Sequence, residues 1–204
     1  VSVTECNDWG AIRCAGYSFV VLVSGVGVDT TIDVRYDAGY GWRLFTGITV
    51  DEAVTALAWA IYQPDHAREL AELAVEDTGL GNVPDKITKN QRKTFGTLRD
   101  LMRVRTVGVI EDNPARGIIK YAKPVGVVAA VVPSTNPAAT PVNKAMMAVK
   151  GKNAVIVSPS PVALTTSSRT VELMREGLDK VGAPVDLIQV VSEPVTKSMT
   201  GMLM

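Results

Sequence analysis

The sequence predicts an α/β fold in which N-terminal helices and a hairpin lead into a parallel sheet. Three observations carry that expectation. Residues 125–132 and 154–157 are apolar, Val-rich runs of strand length, suited to strands buried on both faces. Between them Val142, Ala145, Met146 and Val149 recur at helical spacing. Upstream, residues 49–102 keep a helical period, and Asn113-Pro114 marks a turn between two short apolar runs.

Residues 1–48 are set apart as an atypical leader rich in Gly and Val, with a strand expected over 17–23 and turn residues at Asp37-Ala38-Gly39. Gly25-Val26-Gly27-Val28-Asp29-Thr30 imitates a dinucleotide fingerprint. Thr30 stands where the third glycine is needed and no helical pattern follows, so a hairpin turn or a poorly ordered leader is expected there.

Residues 49–122 read as helices and a hairpin. Thr49-Val50-Asp51-Glu52 is a capping box. The helix it opens places Ala53, Val54, Leu57, Ala58 and Ile61 on one face. Pro64 ends it and begins a second helix, with Ala67, Leu70, Ala71, Ala74 and Val75 inward and a stop at Thr78-Gly79. A third helix is expected over 84–102, with Ile87, Phe95, Leu98 and Leu101 as its apolar stripe and Lys86, Lys89, Arg92 and Lys93 as a solvated basic face. The single histidine, His66, reads as an exposed helix residue, and Glu76-Asp77 as the last turn of its helix. Strands over 104–110 and 117–121, joined by 111–116, complete the hairpin.

Residues 123–161 organise the chain. In the segment after the first strand, Thr140 can cap a helix beginning at Pro141, and Lys150-Gly151-Lys152-Asn153 ends it. Strand, helix and strand make a right-handed parallel βαβ unit, expected in one sheet with helices on both faces. Ligands of such sheets bind beyond the carboxyl ends of the strands, where Pro133–Pro137 and Ser158–Pro161 fall. A helix over 167–181 follows, with Val171, Met174, Leu178 and Val181 inward and Leu173 at the edge. A third strand over 185–191 and a helix opened by Glu193-Pro194 come last.

With 47% hydrophobic and 21% charged residues the chain can bury a core, and a net charge of +0 gives no footprint for nucleic acid or an anionic membrane. Cys6 and Cys14 make neither a disulfide framework nor a metal spacing, so no metal site is expected. No apolar run reaches the ~18 residues of a membrane span. Residues 15–28 are too short for one and have no basic segment before them, which points to a cytoplasmic protein.

The turn Pro133-Ser134-Thr135-Asn136-Pro137, Lys144 in the helix after it, and the strand end Ser158-Pro159-Ser160-Pro161 resemble the aldehyde dehydrogenase superfamily, in its coenzyme-A-acylating branch. The resemblance runs from about residue 50 to 204, through AELAVEDTGLGNVPDKITKNQRKTFGTLRD and VGVIEDNPARGIIKYAKPVGVV. Within the branch the chain is most similar to acylating sulfoacetaldehyde dehydrogenases.

The resemblance implies that residues 123–204 are part of a Rossmann-like NAD- or NADP-binding domain, and that the hairpin is an arm used in homo-oligomer contacts. It implies oxidation of an aldehyde to an acyl-CoA through a cysteine thiolate, so aldehyde and coenzyme A are the expected partners. The family's cysteine lies in a domain beyond the equivalent of Met204, so the chain is expected to be a piece of that enzyme and inactive alone. By the same resemblance Pro133, Ser134 and Thr135 line the nicotinamide side, with Asn136 as oxyanion donor. A gapless register with the wider superfamily puts Thr135 at the asparagine position, and a shift of one residue restores Asn136. As a plain turn or cap residue Asn136 needs no further role. Ser158, Pro159 and Ser160 fall where the adenosine ribose is met, and Ser158 brings no charge to a 2′-phosphate, leaving NAD and NADP both open. A non-enzymatic α/β module binding a nucleotide or a partner chain is the second reading.

Overall fold

The structure, a computed structural model, describes residues 48–203, together with the backbone of four strands before them. Those strands are β1 (Ile12–Cys14), β2 (Tyr17–Ser24), β3 (Thr31–Asp37) and β4 (Trp42–Phe45), paired antiparallel in chain order. The strand expected over 17–23 is β2. The false fingerprint at 25–30 lies outside the described residues, as do Cys6 and the side chain of Cys14.

Helix α1 (Val50–Tyr62) starts at the expected capping box, in which Thr49 Oγ1 accepts from Glu52 N at 3.2 Å and Glu52 Oε2 accepts from Thr49 N at 2.8 Å. The Thr49 N–H, and after it the Thr49 hydroxyl, which donates to Glu52 Oε2 at 2.8 Å, hold the Glu52 carboxyl below its ordinary pKa. Helix α2 (Pro64–Thr78) begins at Pro64 and ends at Gly79, whose φ of 64° is the left-handed cap that glycine adopts without strain. His66 is half-buried instead of exposed: its Nδ1 lies 2.6 Å from the Ala60 carbonyl and covers the end of α1.

Helix α3 (Val83–Leu101) departs most from expectation. Its buried residues are Lys86, Asn90 and Thr94, while Phe95 is 54% exposed and Leu98 packs only partly against the core. The reason is the neighbours: α3 lies against α1 and α2, and Asn90 Nδ2 donates to the Ala67 carbonyl at 3.3 Å. Asn90 can be buried on this face because its amide finds that carbonyl. Strands β5 (Gly108–Asn113) and β6 (Ile118–Ala122) form the expected antiparallel hairpin, shifted along the chain because the turn closes at Pro114–Gly117, where Gly117 N donates to the Pro114 carbonyl.

Strands β7 (Val127–Val132), β8 (Ala154–Pro159) and β9 (Ile188–Val190) form one parallel sheet in that order, joined through α4 (Ala139–Lys150) and α5 (Leu164–Lys180). The βαβ reading therefore holds, with local corrections. Helix α4 starts at Ala139, before Thr140, and the Thr140 N–H donates to the Asn136 carbonyl at 3.2 Å. Residues 185–187 make a short 3-10 turn, so β9 starts late. Helix α6 (Lys197–Leu203) begins after Thr196, whose hydroxyl accepts from Met199 N, and Glu193-Pro194 precedes it as loop.

Helices on both faces were expected; α4 and α5 pack against each other and against α1 on one face, and α6 reaches the other only at the end of β8, where Thr200 meets Ser158. Right-handed crossovers in an in-order sheet put both helices on one side. The face they cover is dry: Ala130, Val132, Val155, Val157 and Ile188 join Leu57, Ile61, Met146, Met174 and Leu178 in one core. Each large side chain there contributes roughly 1.5–3 kcal/mol by leaving water. On the other face Val131 is 54% exposed. Leu173 is fully buried in α5 and Val181 is 42% exposed, because α5 has already ended at Lys180.

Candidate functional site

The carboxyl ends of β7 and β8 lie side by side, since Val132 pairs with Pro159. The two turns singled out in the sequence therefore share one edge, and the Ser160 N–H donates to the Val132 carbonyl at 3.0 Å. At the opposite edge, Asn153 Oδ1 accepts from Val125 N at 2.6 Å and Gly126 N at 2.9 Å, clamping the start of β7 to the start of β8. Lys150, expected as a plain helix-ending cation, is buried and pairs with Asp51 on α1.

The first turn is open. Pro133 and Thr135 are exposed, while Ser134 and Asn136 are half-buried. The backbone of Asn136 is tied on both sides, its N–H donating to the Pro133 carbonyl at 3.4 Å and its carbonyl accepting from Thr140 N. Its side chain points away from those bonds: Oδ1 accepts from Lys89 Nζ at 3.0 Å, and Nδ2 donates to Thr135 Oγ1 at 3.3 Å. Lys144 is exposed on α4.

The second turn is closed. Ser158 is 2% exposed, and its Oγ lies 2.9 Å from Thr200 Oγ1 of α6. Pro159 is buried and Ser160 half-buried. After this turn α5 opens with no cap of its own. Asp77, from the end of α2, fills the role: its Oδ2 accepts from Thr166 N at 2.9 Å and from Thr166 Oγ1 at 2.7 Å. A carboxylate thus already occupies the electropositive start of α5.

Sequence reasoning missed three contributors here: Lys89, Asp77 and Thr200. Each acts on a residue more than 40 positions away, so no local spacing announced it. The basic face of α3 is likewise not wholly solvated. Lys86 is buried, and burial, followed by repulsion from Lys89, lowers its pKa. A hollow of about 360 Å³ beside Thr55, Trp59 and Val181 sits at α1 and the end of α5, away from both turns. Among the described residues no group of three His, Cys, Asp or Glu side chains could hold a metal, and no helix is long and apolar enough to cross a membrane.

Comparison with known proteins agrees with this architecture. An acylating sulfoacetaldehyde dehydrogenase from Cupriavidus necator is 54% identical over 156 residues, which cover 76% of this chain and 32% of that protein. A sulfoacetaldehyde dehydrogenase from Acholeplasma is 48% identical, over 78% of this chain and 33% of that one. An acetylating aldehyde dehydrogenase from Geobacillus thermoglucosidasius superposes with a TM-score of 0.67 at 38% identity, over 73% of this chain and 32% of its own. The chain spans about a third of the length of the curated relatives it matches. The sequence model of the "Aldehyde dehydrogenase family" matches residues 26–204, and by that match, with the helices, hairpin and parallel sheet in place, the chain belongs to the aldehyde dehydrogenase family.

Proposed function

We propose that this chain supplies the nicotinamide-side wall and the oxyanion donor of an acylating aldehyde dehydrogenase, which converts an aldehyde, coenzyme A and NAD or NADP into an acyl-CoA and the reduced dinucleotide. The observation that carries the reading is the open turn at the end of β7, where the side-chain amide of Asn136 sits on a backbone fixed by two hydrogen bonds.

The donor set suits a dinucleotide. Pro133, Ser134 and Thr135 offer a partly apolar wall for a nicotinamide ring, and Ser158 and Ser160, on either side of Pro159, offer hydroxyls for a ribose. Ser158 would exchange its Thr200 partner for a ribose hydroxyl. The bound dinucleotide would accept the hydride that leaves the aldehyde carbon. Asn136 Nδ2 would donate to the carbonyl oxygen as negative charge grows there, an interaction worth more in the transition state than in the ground state. The nucleophile would be a cysteine outside this segment, because Cys6 and Cys14 both precede the matched residues.

An anionic short aldehyde such as sulfoacetaldehyde is the favoured substrate, from the names of the relatives. The hairpin β5–β6 would serve as an oligomer arm, in keeping with the exposure of Ile119 (52%) and Tyr121 (61%).

The test follows reduced dinucleotide by absorbance with coenzyme A and short aldehydes. A polypeptide carrying this segment together with the family's cysteine is expected to turn over, and Asn136→Ala to lower kcat about 10²–10³-fold. The 204-residue chain by itself is expected to give none. Turnover by that chain that disappears in Cys6→Ser or Cys14→Ser would overturn the assignment of the nucleophile.

A further inference from the structure

Lys89 was read in the sequence as one cation of a solvated face. Its ammonium group instead crosses from α3 to the turn after β7 and meets Asn136 Oδ1 at 3.0 Å. Three features make this contact more than a surface bond. Lysine carries donors only, so the oxygen of the amide must face it, and Nδ2 is left on the side of the open turn. The only partner of Nδ2 among the described residues is Thr135 Oγ1 at 3.3 Å, a long bond to an exposed hydroxyl that a substrate oxygen can replace. Lys89 also meets no carboxylate within 4.0 Å among the described residues, so its charge is not neutralised there.

We infer that Lys89 is a positioning residue: it fixes which end of the Asn136 amide faces the reacting carbonyl and polarises that amide so that Nδ2–H is the stronger donor. The inference rests on Asn136 being the oxyanion donor. A charge-assisted bond to the amide oxygen draws electron density from nitrogen and strengthens the opposite N–H. Without Lys89 the amide is free to rotate, and half of its orientations present an oxygen to a developing oxyanion, which repels it. Helix α3 delivers the lysine rigidly, because Asn90, the next residue, is buried and bonded to the Ala67 carbonyl on α2.

The experiment records the side-chain amide resonances of Asn136 in the ¹⁵N-labelled 204-residue chain, assigned with Asn136→Ala. Lys89 is exposed, so Lys89→Met is expected to keep the backbone spectrum while the Asn136 amide pair moves toward the position of a free asparagine and rotates faster. Lys89→Arg, which keeps a charged donor, is expected to restore it. An Asn136 amide unmoved in Lys89→Met, or not restored by Lys89→Arg, overturns the inference alone. A parallel titration with NAD⁺ that leaves Ser134 and Thr135 unmoved overturns the site reading, and with it the catalytic meaning of the contact.

Discussion

The ends of β7 and β8 are neighbours on one sheet edge, and both carry a proline-flanked run of small polar residues, yet they are built in opposite ways. After β7 the polar side chains stand open, and a lysine from another helix orients one of them. After β8 the hydroxyl of Ser158 is buried under Thr200, and the helix that follows is capped by an aspartate from α2. The difference teaches that a similar composition at a strand end does not assign a role. What decides it is which distant element arrives. At β7 the arriving group leaves the Asn136 Nδ2 donor held only by a long bond to Thr135 Oγ1, whereas at β8 the arriving groups complete the packing.

If that contrast is right, substitutions at the closed end cost stability and those at the open end do not. The largest effect is expected for Asp77→Ala. It leaves the buried Thr166 N–H and hydroxyl without an acceptor, which costs about 1–3 kcal/mol, read as a lower midpoint in urea with an unchanged slope. An unchanged midpoint would show that water reaches the start of α5 and that the end is not closed.

Ser158→Ala is expected to cost less, about 0.5–1.5 kcal/mol, because its partner Thr200 is half-exposed and can turn to water. Combining it with Thr200→Val sharpens the point, since removing both partners is expected to be milder than the sum of the two single changes. Additive losses would mean that the two hydroxyls are not coupled.

The smallest stability effect is expected for Asn136→Ala, within about 0.5 kcal/mol by the same urea measurement, since both of its side-chain bonds are to exposed residues. A loss as large as that of Asp77→Ala would make Asn136 a structural residue and erase the contrast between the two ends.

The parallel βαβ unit and its edge were legible because strand length, turn residues and helical period are local signals. Ala53, Val54, Leu57 and Ile61 declared the buried face of α1 for the same reason. The faces of α3 were not legible. Its inward stripe of Lys86, Asn90 and Thr94 looks solvent-facing until α2 supplies a carbonyl for Asn90. The start of α5 was placed late because its cap comes from 89 positions away. At the site, the turn could be located from sequence, but the orientation of the Asn136 amide could not, because it depends on Lys89 on a separate helix.

The turn after β7 is proposed above as the nicotinamide wall of a dinucleotide site. Titrating NAD⁺ into the ¹⁵N-labelled chain and following backbone amides tests it most directly, since millimolar binding suffices for the readout. Shifts are expected at Ser134, Thr135 and Asn136 that saturate together, accompanied by smaller ones at Ser158 and Ser160. Shifts confined to the basic face of α3, or none at this edge while the backbone spectrum stays that of a folded chain, would contradict it.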